Sequence, residues 1–457
     1  MSFPSSFDTS KIDWNAIATQ FVVADFVFHA YLIQRQYRVT FIENVPKVVE
    51  KEVASGSFIK SQRYARDKLK LDLARKIITF LEELAILHFG LMPQIWHVSG
   101  VYLSLISEIR YLHGISGSEA LQSVLFIVIK KTISRIIEIP LDYAHTFVLE
   151  ERWEFNRMTR SKFYRDSALS LVISDLIYAL AVFVFVKIVD FFGANFLIYT
   201  IFAAVAGFLL FQTILPNVIL PLFHKFTPLE DGKLKTAIEE LAKRNGFPTS
   251  NIFVIDGSTT STHANAFFSG LPWNKQIALY DTLIHKFTTS EIIAVLAHEL
   301  GHWKLGHVFQ MNIHLQVILA LNFALFSAFF ESSSLAGAFG FAKPSPAINF
   351  ILFTYLTWPL DTCTSISRNL LVRRNEYQAD NYAKDQGYKD EIASGLIRLN
   401  SDSLDALYTD WLYSICNSSH PTLVERLVAI GYEPQKKVRK ELKVLKEEED
   451  ATGNTEE

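Results

Sequence analysis

Long apolar runs alternate with charged connections along this chain, and each run has about the 20 residues needed to cross a hydrocarbon core. Clear runs cover residues 16–34, 168–189, 195–222, 309–330 and 347–371. Two weaker ones complete a set of seven: 73–92, which contains Glu82 and Glu83, and 119–143, which carries Lys130, Lys131 and Arg135. Each cation on a lipid-facing helix would cost about 2.5 to 3.5 kcal/mol, so that face is expected to line water or protein. With seven spans, residues 35–72, 144–167, 223–308 and the C-terminal region share one side, which is rich in Lys and Arg. The opposite connections, near 93–118, 190–194 and 331–346, hold only Arg110 and Lys343. That bias places the N-terminus outside the cytosol and residues 223–308 inside it.

Between the fifth and sixth runs the pattern becomes that of a globular segment. "TPLEDGKLKTAIEELAKRNGFP" reads as an amphipathic helix ended by Asn245 and Gly246. "NIFVID" and "KQIALYD" read as short strands around an irregular stretch. A helix then begins at Thr288, Thr289 or Ser290 and carries "EIIAVLAHELGHWKLGHVF". The chain divides into a membrane region (1–222), a cytosolic segment (223–308), two further spans (309–371), a C-terminal segment (372–435) and a charged tail (436–457).

Composition narrows the class. Half of the 457 residues are hydrophobic and 37 are Phe, which suits a multi-span membrane protein. The net charge of -3, with no gathering of basic residues on one element, gives nucleic-acid binding no support. Cys363 and Cys416 form neither a metal-binding spacing nor a disulfide framework, so any metal must rest on His and carboxylates. The N-terminal stretch lacks a positive n-region and a cleavage site, and its apolar run reads as a retained span.

His298, Glu299 and His302 spell H-E-x-x-H. Positions i and i+4 lie on one helix face, so both imidazoles can reach one Zn2+ at about 2.0 to 2.1 Å. Glu299 can then take a proton from the attacking water. The plainer alternative is a polar patch on an amphipathic helix. Gly306 and His307 look like an extension of the motif but each falls one place off the longer pattern. His307 would stand about 140° around the helix from His302, and it reads as a surface or interfacial histidine. A third ligand is supplied by "RRNEYQADNYAKDQG", where Glu376 and Asp380 stand at i, i+4 just after the last span. Asp380 would orient a ligating imidazole through its other ring nitrogen. Without H-E-x-x-H an exposed charged helix would be the better reading; with it, the two helices complete a His, His, Glu site with one open position.

"VLAHELGHW", followed about 75 residues later by "NEYQAD" and then by "SHPTLVERL", resembles the membrane-bound M48 zinc metalloproteases, most closely the CAAX prenyl protease type 1 (Ste24) family. "FVLEERWEFNRMT", "LPLFHKFTPLEDGKLK" and "IFVIDGSTTSTHANAFFSGLP" extend the resemblance over nearly the whole chain. Two departures stand out: the family usually has Gly where Glu154 stands, and Lys130 and Lys131 are unusual charges for the third span.

The resemblance implies one Zn2+ per chain on His298, His302 and Glu376, with Glu299 as general base and His420 assisting the oxyanion. It implies that Asn265, with His263 and Ala266 beside it, belongs to an edge strand that holds substrate backbone, and that Arg426 pairs with a carboxylate near the site. It further implies an all-α polytopic fold. Seven transmembrane helices would enclose a chamber, lined in part by Asp25, His29, Lys130, Lys131 and Arg135, beside a small α+β gluzincin-like domain with a short β-sheet. Interhelical hydrogen bonding in a solid bundle is the alternative reading of those five residues.

The location implied is the endoplasmic reticulum membrane, continuous with the inner nuclear membrane. The implied substrates are prenylated proteins ending in Cys-a-a-X, with a second, N-terminal cleavage in pheromone-type precursors. A quality-control protease for misfolded or stalled membrane proteins is a rival reading. So is a non-enzymatic scaffold or transporter with a vestigial metal site.

Overall fold

The computed structural model describes residues 12–108, 117–247, 252–269 and 276–433. Arg110 and the charged tail lie outside them. Helix α1 (Trp14–Val39) is capped by the Asp13 side chain. α2 (Ser55–His88) and α3 (Leu91–Ser107) form a pair bent by 75°, with Gly90 at φ 58° in the break. α4 (Glu119–Ala144) runs into a π-helical turn at His145–Glu150, and α5 (Arg160–Phe192) follows. α6 (Phe196–Ile214) continues through a π-turn containing Pro216 into α7 (Leu220–Phe223).

Among the described residues four helices are long and apolar enough to cross a membrane, α1, α5, α6 with its extension and, further on, His307–Phe326; the bent pair makes up to five. α4 covers the expected 119–143 span, but its charges set it apart from these. The expected single span over 347–371 is broken. α13 (Pro346–Thr354) ends before α14 (Trp358–Asp385), because Pro359 opens α14 and has no N–H to carry a continuous helix. At nine residues α13 rises only about 14 Å, short of a crossing. α14 instead runs on as a long helix into the globular part.

That part is built on a four-stranded sheet: β1 (Phe226–Pro228), β2 (Ile252–Ile255), β3 (Ala266–Ser269) and β4 (Gln276–Tyr280), in the order β1-β2-β4-β3. β2 and β4 are parallel and the other pairs antiparallel, so β3 forms an edge. α8 (Lys233–Asn245) is the amphipathic helix read from the sequence, ended by Gly246. After α9 (Asp281–Lys286) comes α10 (Thr289–Lys304), opened by a capping box between Thr288 and Glu291. α11 (His307–Phe326) and α12 (Ser333–Ala338) lead to α13, and α15 (Lys389–Ser403), α16 (Trp411–Asn417) and α17 (Leu423–Ala429) follow α14.

The core of the globular part gathers around α10, whose residues Ile292 to Ala297 are all buried against Ile238, Leu279, Leu396 and Leu427. Val49, Val53 and Phe58, from the chain's first 222 residues, pack in the same core. Glu154 adopts φ 65°, a left-handed conformation that glycine takes without strain. The next residues tie the membrane helices to the sheet: Arg157 N–H donates to Thr260 and Thr262 N–H donates to Phe155.

Candidate metal centre

Two helices build the centre because they can touch. A Cβ on Gly301 would stand 3.0 Å from the Tyr382 Cβ and 3.1 Å from the Ala379 Cα, so only glycine lets α10 lie this close to α14. This contact sets His298 and His302 against Glu376. Their nearest ring nitrogens are 3.1 Å apart, His302 Nε2 lies 3.3 Å from Glu376 Oε1, and His298 Nε2 lies 3.6 Å from Glu376 Oε2. Ligands bound at about 2.0 to 2.2 Å around one tetrahedral ion are about 3.3 to 3.5 Å apart, so the three atoms can hold a single metal ion. Among the described residues this is the one His, Cys, Asp or Glu group of that kind.

The surroundings fix the donors. The His298 Nδ1–H donates to Asp380 Oδ1 at 2.8 Å, which leaves Nε2 bare toward the centre. Asp380, fully buried, also takes two bonds from Arg426, at 2.7 and 2.8 Å. Burial alone would push its carboxyl up, but the bonds from Arg426 and His298 bring it down to about 2. Glu376 is likewise buried, and the His302 and His420 rings against it, with the charges of His298 and Arg426, hold it well below the ordinary carboxylate range. Arg426 lies 3.5 Å from Glu376, so it serves both carboxylates. Glu299, next to the first histidine on α10, is raised by burial, with His298 and His302 opposing. A carboxyl so placed holds a proton more readily than one in water.

His420 Nδ1 stands 3.2 Å from Glu376 Oε2, and that bond raises the imidazole's pKa. Its loop is held by Arg373, which donates to the His420 carbonyl at 3.4 Å and to Glu425 at 3.0 Å; sequence reasoning gave no hint of this arginine. A cavity of about 670 Å3 opens beside His420 and Arg426, with Tyr64, Lys68 and Asp72 of α2 on its far wall.

Asn265 and Ala266 sit at the start of edge strand β3, which packs against α10, and the Asn265 carboxamide accepts from the Ala266 N–H at 2.8 Å. His263 is held elsewhere: its Nε2 is 3.4 Å from Glu150 and its ring packs on Phe155. His307 departs from expectation. It is 2% exposed and its Nδ1 is 2.9 Å from His302 Nδ1. α10 ends at Lys304, Gly306 turns the chain at φ 69°, and His307 opens the next helix, so its position on a continued α10 does not apply. Burial holds its pKa low.

Comparison with known proteins agrees with this architecture. Residues 36–225 match the family model described as CAAX prenyl protease N-terminal, five membrane helices, and residues 228–433 match peptidase family M48. CAAX prenyl protease 1 of Saccharomyces cerevisiae is 39% identical over 446 residues, covering 94% of this chain and 98% of that protein. The probable CAAX prenyl protease 1 of Schizosaccharomyces pombe is 37% identical over 432 residues, covering 94% and 91%. The crystal structure of S. mikatae Ste24p matches with a TM-score of 0.87 at 39% identity, covering 92% of this chain and all of that one. With both halves matched and the likeness running nearly end to end, this multi-pass membrane chain belongs to the CAAX prenyl protease 1 family of M48 metalloproteases.

Proposed function

We propose that this chain is a zinc endopeptidase of the endoplasmic reticulum membrane that removes the last three residues from prenylated proteins ending in Cys-a-a-X. The observation that carries the reading is the convergence of His298, His302 and Glu376 on one point, from a helix with H-E-x-x-H, in a chain 39% identical to a CAAX prenyl protease 1. The zinc assignment follows from the donor set: two neutral imidazoles and one carboxylate, with no thiolate and room for a fourth ligand. The cytosolic placement of the site follows from the Lys- and Arg-rich loops on its side. An isoprenyl chain attaches proteins to membranes only weakly and reversibly, so a protease embedded there can collect them by lateral diffusion.

When bound, zinc supplies Lewis acidity toward the scissile carbonyl and the attacking water. The rest falls to the chain's own groups. Glu299 takes the water's proton and returns it to the departing amine, and its raised pKa suits both transfers. His420, cationic over a wider pH range than a free imidazole, donates to the oxygen that gains charge. Asp380 and Arg426 hold His298 in the tautomer with a bare Nε2. The free edge of β3 binds the substrate as an added strand, with the Asn265 carboxamide beside it, and the cavity next to His420 receives the departing residues. The same site serves a second, N-terminal cleavage in pheromone-type precursors.

Glu299→Gln keeps the carboxyl's shape and removes its basicity. The variant is expected to retain about one zinc per chain and to cleave a farnesylated C-terminal peptide about 10² to 10⁴ times more slowly. Near-normal turnover would overturn the role of Glu299. Equal cleavage of the unprenylated peptide would overturn the substrate class.

A further inference from the structure

We propose that His307 and Gln378 position the second histidine ligand, His302, by fixing which of its ring nitrogens carries the proton. The inference rests on the zinc reading above and adds residues that neither the motif nor the ligand set contains. His302 Nδ1 and His307 Nδ1 are 2.9 Å apart, and His307 Nε2 is 3.0 Å from Gln378 Oε1 on α14. An amide oxygen only accepts, so the His307 Nε2 must carry a proton. A neutral imidazole has one proton, and among the described residues the ring nitrogens of His307, 2% exposed, meet only an imidazole and an amide, with no carboxylate in contact to hold a second. Its Nδ1 is then a lone pair, and the 2.9 Å contact requires His302 Nδ1 to be the donor. His302 Nε2 is left bare, 3.3 Å from Glu376 Oε1, as a metal ligand must be.

The two histidine ligands therefore have unequal supports. His298 donates to a carboxylate and His302 to a neutral imidazole, so His298 is the more basic donor and His302 withdraws less of the ion's charge. The turn at Gly306 makes this possible, since it folds His307 back beside the ligand five residues earlier.

The test uses the full-length enzyme in detergent, stripped of metal and titrated with zinc against a chromogenic chelator. His307→Phe keeps an aromatic ring and removes the acceptor; zinc Kd is expected to rise about 10- to 100-fold. His307→Asn puts a carboxamide oxygen near the place of Nδ1 and should return the Kd to within a few-fold of wild type. Gln378→Leu frees the His307 proton to move and should fall between the two.

Wild-type affinity in His307→Phe, or no recovery in His307→Asn with thermal unfolding unchanged, overturns the assignment. If His307→Phe does not fold, Gln378→Leu decides, and an unchanged zinc Kd overturns it. A wild-type enzyme without stoichiometric zinc overturns the zinc reading itself, and this one with it.

Discussion

Around Arg135, inside the helical bundle, charges meet their opposites; around Glu376, which has Arg426 and His420 beside it, two further ring nitrogens crowd the same carboxylate. Arg135 and Arg75 share Asp142 at 2.6 and 2.9 Å, linking α4 to α2. Lys130 lies 3.9 Å from Glu83, which also accepts from the Tyr355 hydroxyl, and Ser134 donates to Glu82. Asp25 takes bonds from Trp358 and pairs with His29, and it lines a cavity of about 260 Å3 with Lys76, Glu83 and Asp361. Lys130 pairs across to α2, while Arg135 pairs within α4 with Asp142, which Arg75 of α2 joins; Asp25 faces open space as well. At the metal centre, by contrast, two bare imidazole nitrogens stand 3.1 Å apart with a carboxylate against both. Lone pairs crowded in this way repel unless a cation lies between them. A network complete in itself holds helices together; one complete only with an ion is made to bind it.

The strongest test exchanges the consequences of one carboxylate in each region. Glu376→Gln is expected to abolish zinc retention and peptide cleavage while the metal-free protein unfolds at nearly the wild-type temperature. Asp142→Asn should do the reverse. Cleavage and zinc content stay within a few-fold, and stability falls by about 1 to 3 kcal/mol because Arg75 loses its anion and Arg135 keeps only Glu138, at a site that water partly reaches. Metal analysis and thermal unfolding on both variants decide it, and zinc loss in Asp142→Asn would erase the distinction.

The sequence carried the metal centre further than the bundle. H-E-x-x-H and Glu376 could be read because ligand chemistry demands particular side chains at helical spacing, and the Thr288 cap marks where that helix begins. The edge position of Asn265 and Ala266 came with the family resemblance. His307 was missed because a helical wheel was extended past a helix that stops at Lys304; the glycine at 306 was the available signal. The break before Pro359 was missed because apolar composition continues across it, although Pro359 marks it. Gly301 and Arg373 had no signal in one sequence, since their roles exist only once α10, α14 and the His420 loop are assembled.

Gly301 gives the intermediate test of how the ion-binding region is held. In Gly301→Ala the new methyl meets backbone of α14 as well as Tyr382, so the two helices must part by a few tenths of an ångström. A cost of about 1 to 3 kcal/mol is expected from the overpacking. The ligands on the two helices move apart with them, and zinc Kd should rise by roughly tenfold. Chelator competition against thermal unfolding separates the effects. A variant that loses stability with unchanged zinc affinity would mean that the ligands follow the ion rather than the helix packing.

The smallest effect is expected where the two regions join. Glu154 holds φ 65°, and the left-handed conformation costs a non-glycine residue about 1 to 2 kcal/mol. Glycine removes that cost but gives back roughly 0.5 to 1 kcal/mol through its freer unfolded chain, so Glu154→Gly should stabilise by about 0.5 to 1 kcal/mol. Glu154→Ala keeps a Cβ and should show no such gain, which separates backbone strain from loss of the carboxylate. Cleavage and zinc content should not change in either variant, because the residue acts only through the Phe155–Arg157 segment that bonds to Thr260 and Thr262. If Ala stabilises as much as Gly, the side chain's charge and not its backbone is the unfavourable feature, and the turn tolerates a Cβ after all.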